Sequence, residues 1–165
     1  MKQVSVKKLT VEGFKEYGYF ANLINPDSRK FAFETVAFHP DMVFLDLGQV
    51  NKAAFSVTRV EKRPLIIDAV EYHNFSGEGM LPLDGDVLMH LAPPTQGNEL
   101  QLDSIEVFYI PKGTIVSLRK GVWHCAPYAI NTDFVNMLVV LPERTYANDC
   151  YFMPLPEAEQ IEIVT

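Results

Sequence analysis

The chain has 165 residues, 48% of them hydrophobic and 12% aromatic, and a net charge of −7. That length suffices for one domain with a sizeable core, and the composition excludes a disordered chain. The acidic balance argues against nucleic acid or an anionic membrane as a partner, and no apolar run is long enough to span a bilayer.

Leu9-Thr10 leads into Val11–Gly18, a short predicted helix with Thr10 as N-cap, Phe14 and Tyr17 on one face and Gly18 as the stop. Asn22 to Lys30 is a polar loop. Phe31 to Phe38 reads as a strand, and His39-Pro40-Asp41 as a turn. Met42 to Leu47 and Ala53 to Val60 read as two further strands, separated by Gly48–Asn51. Beyond Arg63-Pro64 come strands at Leu65–His73 and Gly79–Leu83. Asp84-Gly85-Asp86 is a hairpin signal before the apolar strand Val87–Ala92. Strands follow at Ile105–Ile110, Ile115–Leu118, Val122–Ala126 and Phe134–Leu141. The acidic tail holds a last short strand, Ile161–Val164. Many short strands with regular turn signals, one helix, no repeat and no linker describe an all-β barrel or sandwich in one domain, residues 1–165.

Cys125 and Cys150 are too few for a disulfide framework. The start, Met-Lys-Gln-Val-Ser-Val-Lys-Lys, has no apolar run of the kind that directs export. The expectation is free thiols in a cytoplasmic protein.

The chemistry concentrates between Glu71 and Gly85. Glu71 and His73 stand two apart and share a strand face; Ser76-Gly77-Glu78-Gly79 is a turn that brings Glu78 back. A second imidazole, His124, follows in Gly121-Val122-Trp123-His124. Glu71, His73, Glu78 and His124 together form a mixed nitrogen and oxygen set suited to a divalent metal. Two carboxylates crowded without a cation would raise one another's pKa. The donor types fit Mn, Fe, Co, Ni or Zn and do not choose among them.

The spacing resembles the two cupin motifs. Glu71-x-His73, four residues, Glu78, six residues, Gly85 is similar to the first, with Glu in place of its leading His. Gly113, five residues, Arg119-x-Gly121-x-x-His124, three residues, Tyr128 is similar to the second, with Arg119 and Tyr128 in place of its Pro and Asn. Within the cupins the chain resembles the ureidoglycolate lyase family. The likeness rests on Leu9-Thr10…Phe14…Tyr17-Gly18, Ser56-Val57-Thr58-Arg59, Glu71-x-His73, Met80–Leu83, Gly121–His124, Asp133-Phe134 and Asn148-x-Cys150. It departs at Leu118, Cys125 and Pro142.

The resemblance implies a cupin-type β-barrel (a double-stranded jelly roll) with a short N-terminal helix, working as a homodimer. It implies a metal-assisted lyase of purine and allantoin degradation that splits ureidoglycolate, or a related small α-hydroxy acid, into glyoxylate and urea. Glu71, His73, Glu78 and His124 are then the metal ligands, and Glu78, where it is not a ligand, the base. Arg59 is placed to orient the substrate carboxylate, and Trp123 and Tyr128 to wall the pocket, with core packing the competing role for Trp123. Ser56 and Arg59 fall on opposite strand faces, so only one of them can line the cavity. His90, between Met89 and Leu91, reads as a buried structural histidine. Two other readings use the same barrel: a non-catalytic module that binds a small ligand, and a metal-dependent sugar isomerase or epimerase.

Overall fold

The computed structural model describes residues 1–165. In chain order the strands are β1 (Lys2–Lys8), β2 (Gly18–Asn22), β3 (Phe31–Phe33), β4 (Val36–Phe38), β5 (Ala53–Glu61), β6 (Ile66–Ile67), β7 (Ala69–Tyr72), β8 (Glu78–Pro82), β9 (Val87–Leu91), β10 (Glu106–Ile110), β11 (Thr114–Leu118), β12 (Tyr128–Ala129), β13 (Phe134–Pro142), β14 (Tyr151–Pro154) and β15 (Ile161–Val164). Two helices of one turn, α1 (Val11–Phe14) and α2 (Thr145–Asn148), join them.

Two sheets make the body of the fold. One has six strands in the order β12-β9-β10-β1-β15-β6, the other five in the order β2-β11-β8-β13-β5. Alternation assigns their faces. Val87, Met89, Leu91, Phe108 and Ile110 of the first sheet share a core with Met80, Val116, Leu118, Val135 and Met137 of the second. Phe14 of α1 closes one end of this core, edge-on to Phe20 and Phe108. Truncating a buried ring of this kind costs about 3–5 kcal/mol.

The six-stranded sheet is covered on its other face as well. Leu88, Val107, Ile161 and Ile163 pack there against Val70, Tyr72, Trp123 and Tyr128. This is why β9 reads as a continuous apolar run, while β1 and β15, covered on this face only, alternate. The sandwich of curled sheets around a buried centre is the cupin-type β-barrel expected from the sequence.

Several boundaries differ from expectation for identifiable reasons. Phe31–Phe38 is a hairpin, not one strand; Glu34, with φ of 43°, makes the turn between β3 and β4. Met42–Leu47 is not a strand. Its carbonyls serve other groups, Phe44 accepting from Ser117 Oγ and Asp46 from Gly77 N. Leu65–His73 breaks at Asp68 into β6 and β7, which pair with different sheets. Val122–Ala126 forms only two isolated bridges, Glu71 with His124 and Ala92 with Trp123. The helix ends at Phe14, and β1, β2, α2 and β14 had no sequence expectation. Asp84 and Asp86 do more than turn the chain: Asp84 accepts from Asn136 N, and Asp86 from Tyr109 Oη and Lys112 N.

Candidate metal centre and active site

The backbone brings the distant segments together. Glu71 N lies 2.5 Å from the His124 carbonyl, and His124 N donates to the Glu71 carbonyl at 2.8 Å. Residues exchanging both bonds stand directly opposite, with side chains on one face. Gly121 N donates to the His73 carbonyl at 2.7 Å, fixing the next pair of segments. Gly77 completes the arrangement. A Cβ there would lie 2.3 Å from the Leu118 carbonyl, so only glycine lets the chain pass and start β8 at Glu78.

His73 Nε2 and His124 Nε2 each lie 2.9 Å from the same oxygen, Oε2 of Glu78. All three residues are buried, and their ligand atoms lie within 4.8 Å of one another. The other imidazole nitrogens are already committed. His73 Nδ1 faces the Asp149 carbonyl at 2.5 Å, and His124 Nδ1 the Val122 carbonyl at 2.8 Å. A carbonyl only accepts, so each Nδ1 carries hydrogen and each Nε2 of a neutral ring presents a lone pair. Two such lone pairs and a carboxylate oxygen then meet at one buried point. Acceptors facing acceptors repel; a proton or a cation between them removes the conflict. Backbone carbonyls behind both imidazoles are also the usual support of metal-binding histidines. The residues present therefore fit a divalent cation.

Electrostatics agree with this geometry. Burial pushes the Glu78 carboxyl up, but the His124 and His73 imidazoles more than offset it and hold it down to about 2. Burial pulls His124 down, and the Glu78 carboxylate lifts it above the ordinary histidine value.

The cluster lines a cavity of about 190 Å³ walled by Met80, Met137, Val139 and Leu141, with Thr58, Tyr146 and Cys150 also on its lining. Glu71 lines this cavity too, but its carboxylate is not one of the three converging groups; Cys150 Sγ donates to its Oε2 at 3.1 Å. A wider cleft of about 660 Å³ lies across Asn148 and Asp149 and contains no histidine.

The other expected site residues stand elsewhere. Arg59 is outside the cavity: its guanidinium sits 4.2 Å from the Phe134 ring centre, and its Nε donates to Asn136 Oδ1. Thr58, its neighbour on the opposite strand face, lines the cavity instead. Trp123 is buried in the core behind the six-stranded sheet, against Tyr72, with its Nε1 donating to Thr95 Oγ1. Tyr128 is buried in the same core, donates to the Ile66 carbonyl and carries the Arg63 guanidinium over its ring at 4.0 Å. Neither ring walls the cavity, because each faces the covered side of the six-stranded sheet. His90 is buried as expected, Nε2 donating to the Ala69 carbonyl and Nδ1 without a protein partner. Cys125 and Cys150 are free thiols. Asp149 and Tyr146 had no sequence signal, since their roles arise only when the turn of α2 folds back over the cavity.

The fold is thus a cupin-type barrel that carries a buried His-Glu-His cluster at a small cavity. A sequence model described as ureidoglycolate lyase matches residues 1–162. The chain belongs to the ureidoglycolate lyase family and is an enzyme, a lyase. A curated ureidoglycolate lyase from Rhodobacter capsulatus is 26% identical over 127 residues, spanning 75% of this chain and 77% of that one. Among solved structures, the capsular polysaccharide assembling protein CapF of Staphylococcus aureus matches with a TM-score of 0.47 at 16% identity, over 79% of this chain and 35% of that one. The 3,4-ketoisomerase QdtA of Thermoanaerobacterium thermosaccharolyticum matches with a TM-score of 0.43 at 12% identity, over 80% and 84%. Bacillus subtilis oxalate decarboxylase matches with a TM-score of 0.43 at 16% identity, over 64% and 26%. No helix is long and apolar enough to cross a membrane.

Proposed function

We propose that this lyase cleaves ureidoglycolate to glyoxylate and urea, with His73, Glu78 and His124 holding a divalent cation. The observation that carries the metal is the shared Glu78 oxygen, faced at 2.9 Å by two imidazoles whose other nitrogens are spoken for. The family membership carries the substrate class. A bound cation supplies positive charge for an α-hydroxy acid and makes its hydroxyl more acidic.

Glu78 acts as a ligand rather than the base, because both imidazoles already engage it. Glu71 is the better base. Its carboxylate lines the same cavity outside the ligand set, and only a thiol holds it. Glu71 takes the substrate hydroxyl proton; that O–H electron pair becomes the aldehyde C=O of glyoxylate as the C–N bond breaks. The proton then passes from Glu71 to the departing nitrogen, giving urea, so atoms and charge balance. Thr58 and Tyr146 offer hydroxyls to the ureido group, and Met80, Met137, Val139 and Leu141 exclude bulk water. A cavity of about 190 Å³ suits a small acid.

The protein acts as a cytoplasmic homodimer in purine and allantoin degradation. The test is release of urea and glyoxylate from ureidoglycolate by purified protein supplied with divalent metal. Release that Glu71→Ala abolishes supports the assignment; release that survives complete removal of metal by a chelator contradicts the cation's role.

A further inference from the structure

The two sheets are treated unequally by the fold. In the six-stranded sheet β9 and β10 are covered on both faces, whereas the five-stranded sheet has a core and cavity on one face only. Its sequence nevertheless reads apolar on both. Register places Phe55 opposite Val140 and Val57 opposite Leu138, with Leu81 beyond Leu138 on β8, all on the outer face. Their neighbours Thr58, Met137, Val139 and Leu141 point inward to the cavity. Strands with this double apolar pattern are buried on both sides.

The chain covers part of the outer face itself. Leu45 side-chain atoms lie 3.4 and 3.7 Å from where Cβ atoms of Gly77 and Gly79 would stand, and the Phe44 carbonyl accepts from Ser117 on β11. This cover stops at β8. Phe55 is 72% and Val57 64% exposed, on β5, which pairs on one edge only. The hairpin that leads into the covering segment is equally bare. Phe31, Phe33, Val36 and Phe38 are all exposed, none belongs to either core, and β3 and β4 pair only with each other. A lone two-stranded hairpin has little stability in water.

The amount of apolar surface identifies the occupant. Phe31, Phe33, Phe38, Phe44 and Phe55 expose on the order of 600 Å² together, taking ~200 Å² for a whole aromatic side chain. With the exposed valines this approaches the ~800 Å² per partner of a stable interface, and it has the apolar character of permanent homodimers. We propose that the outer face of β5 and β13 and the aromatic β3–β4 hairpin dock on a second copy of this chain, the same surfaces meeting across a two-fold axis. The interface then lies on the reverse of the strands that line the cavity, so one sheet serves assembly and chemistry on opposite faces. The assignment rests on the homodimer reading given above and adds the surface that forms it.

Sedimentation of the full chain at micromolar concentration, with hydrogen exchange followed on dilution, tests it. The expected result is a dimer whose β5 and hairpin amides lose protection as it dissociates. Phe55→Asp with Val57→Asp is expected to raise the dissociation constant a hundredfold or more; Phe33→Ser with Phe38→Ser tests the hairpin separately. A wild-type monomer at these concentrations overturns the homodimer reading and the interface with it. A wild-type dimer whose β5 and hairpin amides exchange equally at all concentrations overturns the interface alone. The exchange readout needs no variant, so misfolding of a substituted chain does not remove the test.

Discussion

His73 is held from behind by Asp149: the Asp149 carbonyl lies 2.5 Å from Nδ1 of an imidazole that is 76 residues away in sequence. The Asp149 carboxylate meanwhile accepts from the backbone N–H groups of Asn74 and Phe75, both at 2.8 Å. One residue thus fixes the ring's tautomer through its main chain and the adjoining loop through its side chain.

Asp149→Ala removes both loop bonds and lets the carbonyl drift from His73. Groups that support metal-binding histidines typically change metal affinity by ~10–100-fold. A competitive chelator titration should show a loss of that size, with the fold retained. Unchanged affinity would show that the ring is positioned without Asp149.

Glu71 and Glu78 line the same cavity but have different assigned tasks, and conservative substitutions separate them. Glu78→Gln takes the shared oxygen's charge from the cluster and should abolish metal binding and turnover together. Glu71→Gln should bind metal with wild-type stoichiometry yet lose on the order of 10²–10⁴ in turnover, the usual contribution of a positioned base. Metal content by elemental analysis beside glyoxylate release distinguishes the two. A Glu71→Gln protein without metal would make Glu71 a ligand instead.

His90 gives the fold a dependence on acid that is separate from the site. Burial holds its imidazole down to about 3, so it stays neutral in the folded protein. The unfolded chain takes up a proton below about pH 6.5, and the folded chain does not. Stability is therefore present above that pH and lost as pH falls toward 3. At pH 5 the loss is about 2 kcal/mol by linkage. His90→Leu removes this term and the unpartnered Nδ1. Its denaturation midpoint relative to wild type should rise as pH is lowered from 7 to 5, and a pH-independent difference would contradict the assignment.

The sequence disclosed the barrel and the centre of the site because both leave local marks. Turn residues punctuate the strands, and the spacing from Glu71 to Glu78 fixes two groups on adjoining strands. His124 could be paired with them only through motif spacing. What stayed hidden depends on covering rather than on strand formation. Met42–Leu47 has the composition of a strand, yet it lies over Gly77 and Gly79 and makes no ladder. Trp123 and Tyr128 are aromatic residues near the motif, and only the sheet's second covered face shows that they point away from the cavity. Arg59 and Thr58 are adjacent in β5; alternation separates them, but which face is inward depends on the pairing with β13.

The most direct test is to strip the protein of metal with a chelator and restore one equivalent of a divalent cation, following glyoxylate release from ureidoglycolate throughout. A metal centre at His73, Glu78 and His124 predicts that release falls with metal content, returns with occupancy, and never returns in Glu78→Gln. Full release from protein verified to be metal-free would contradict it.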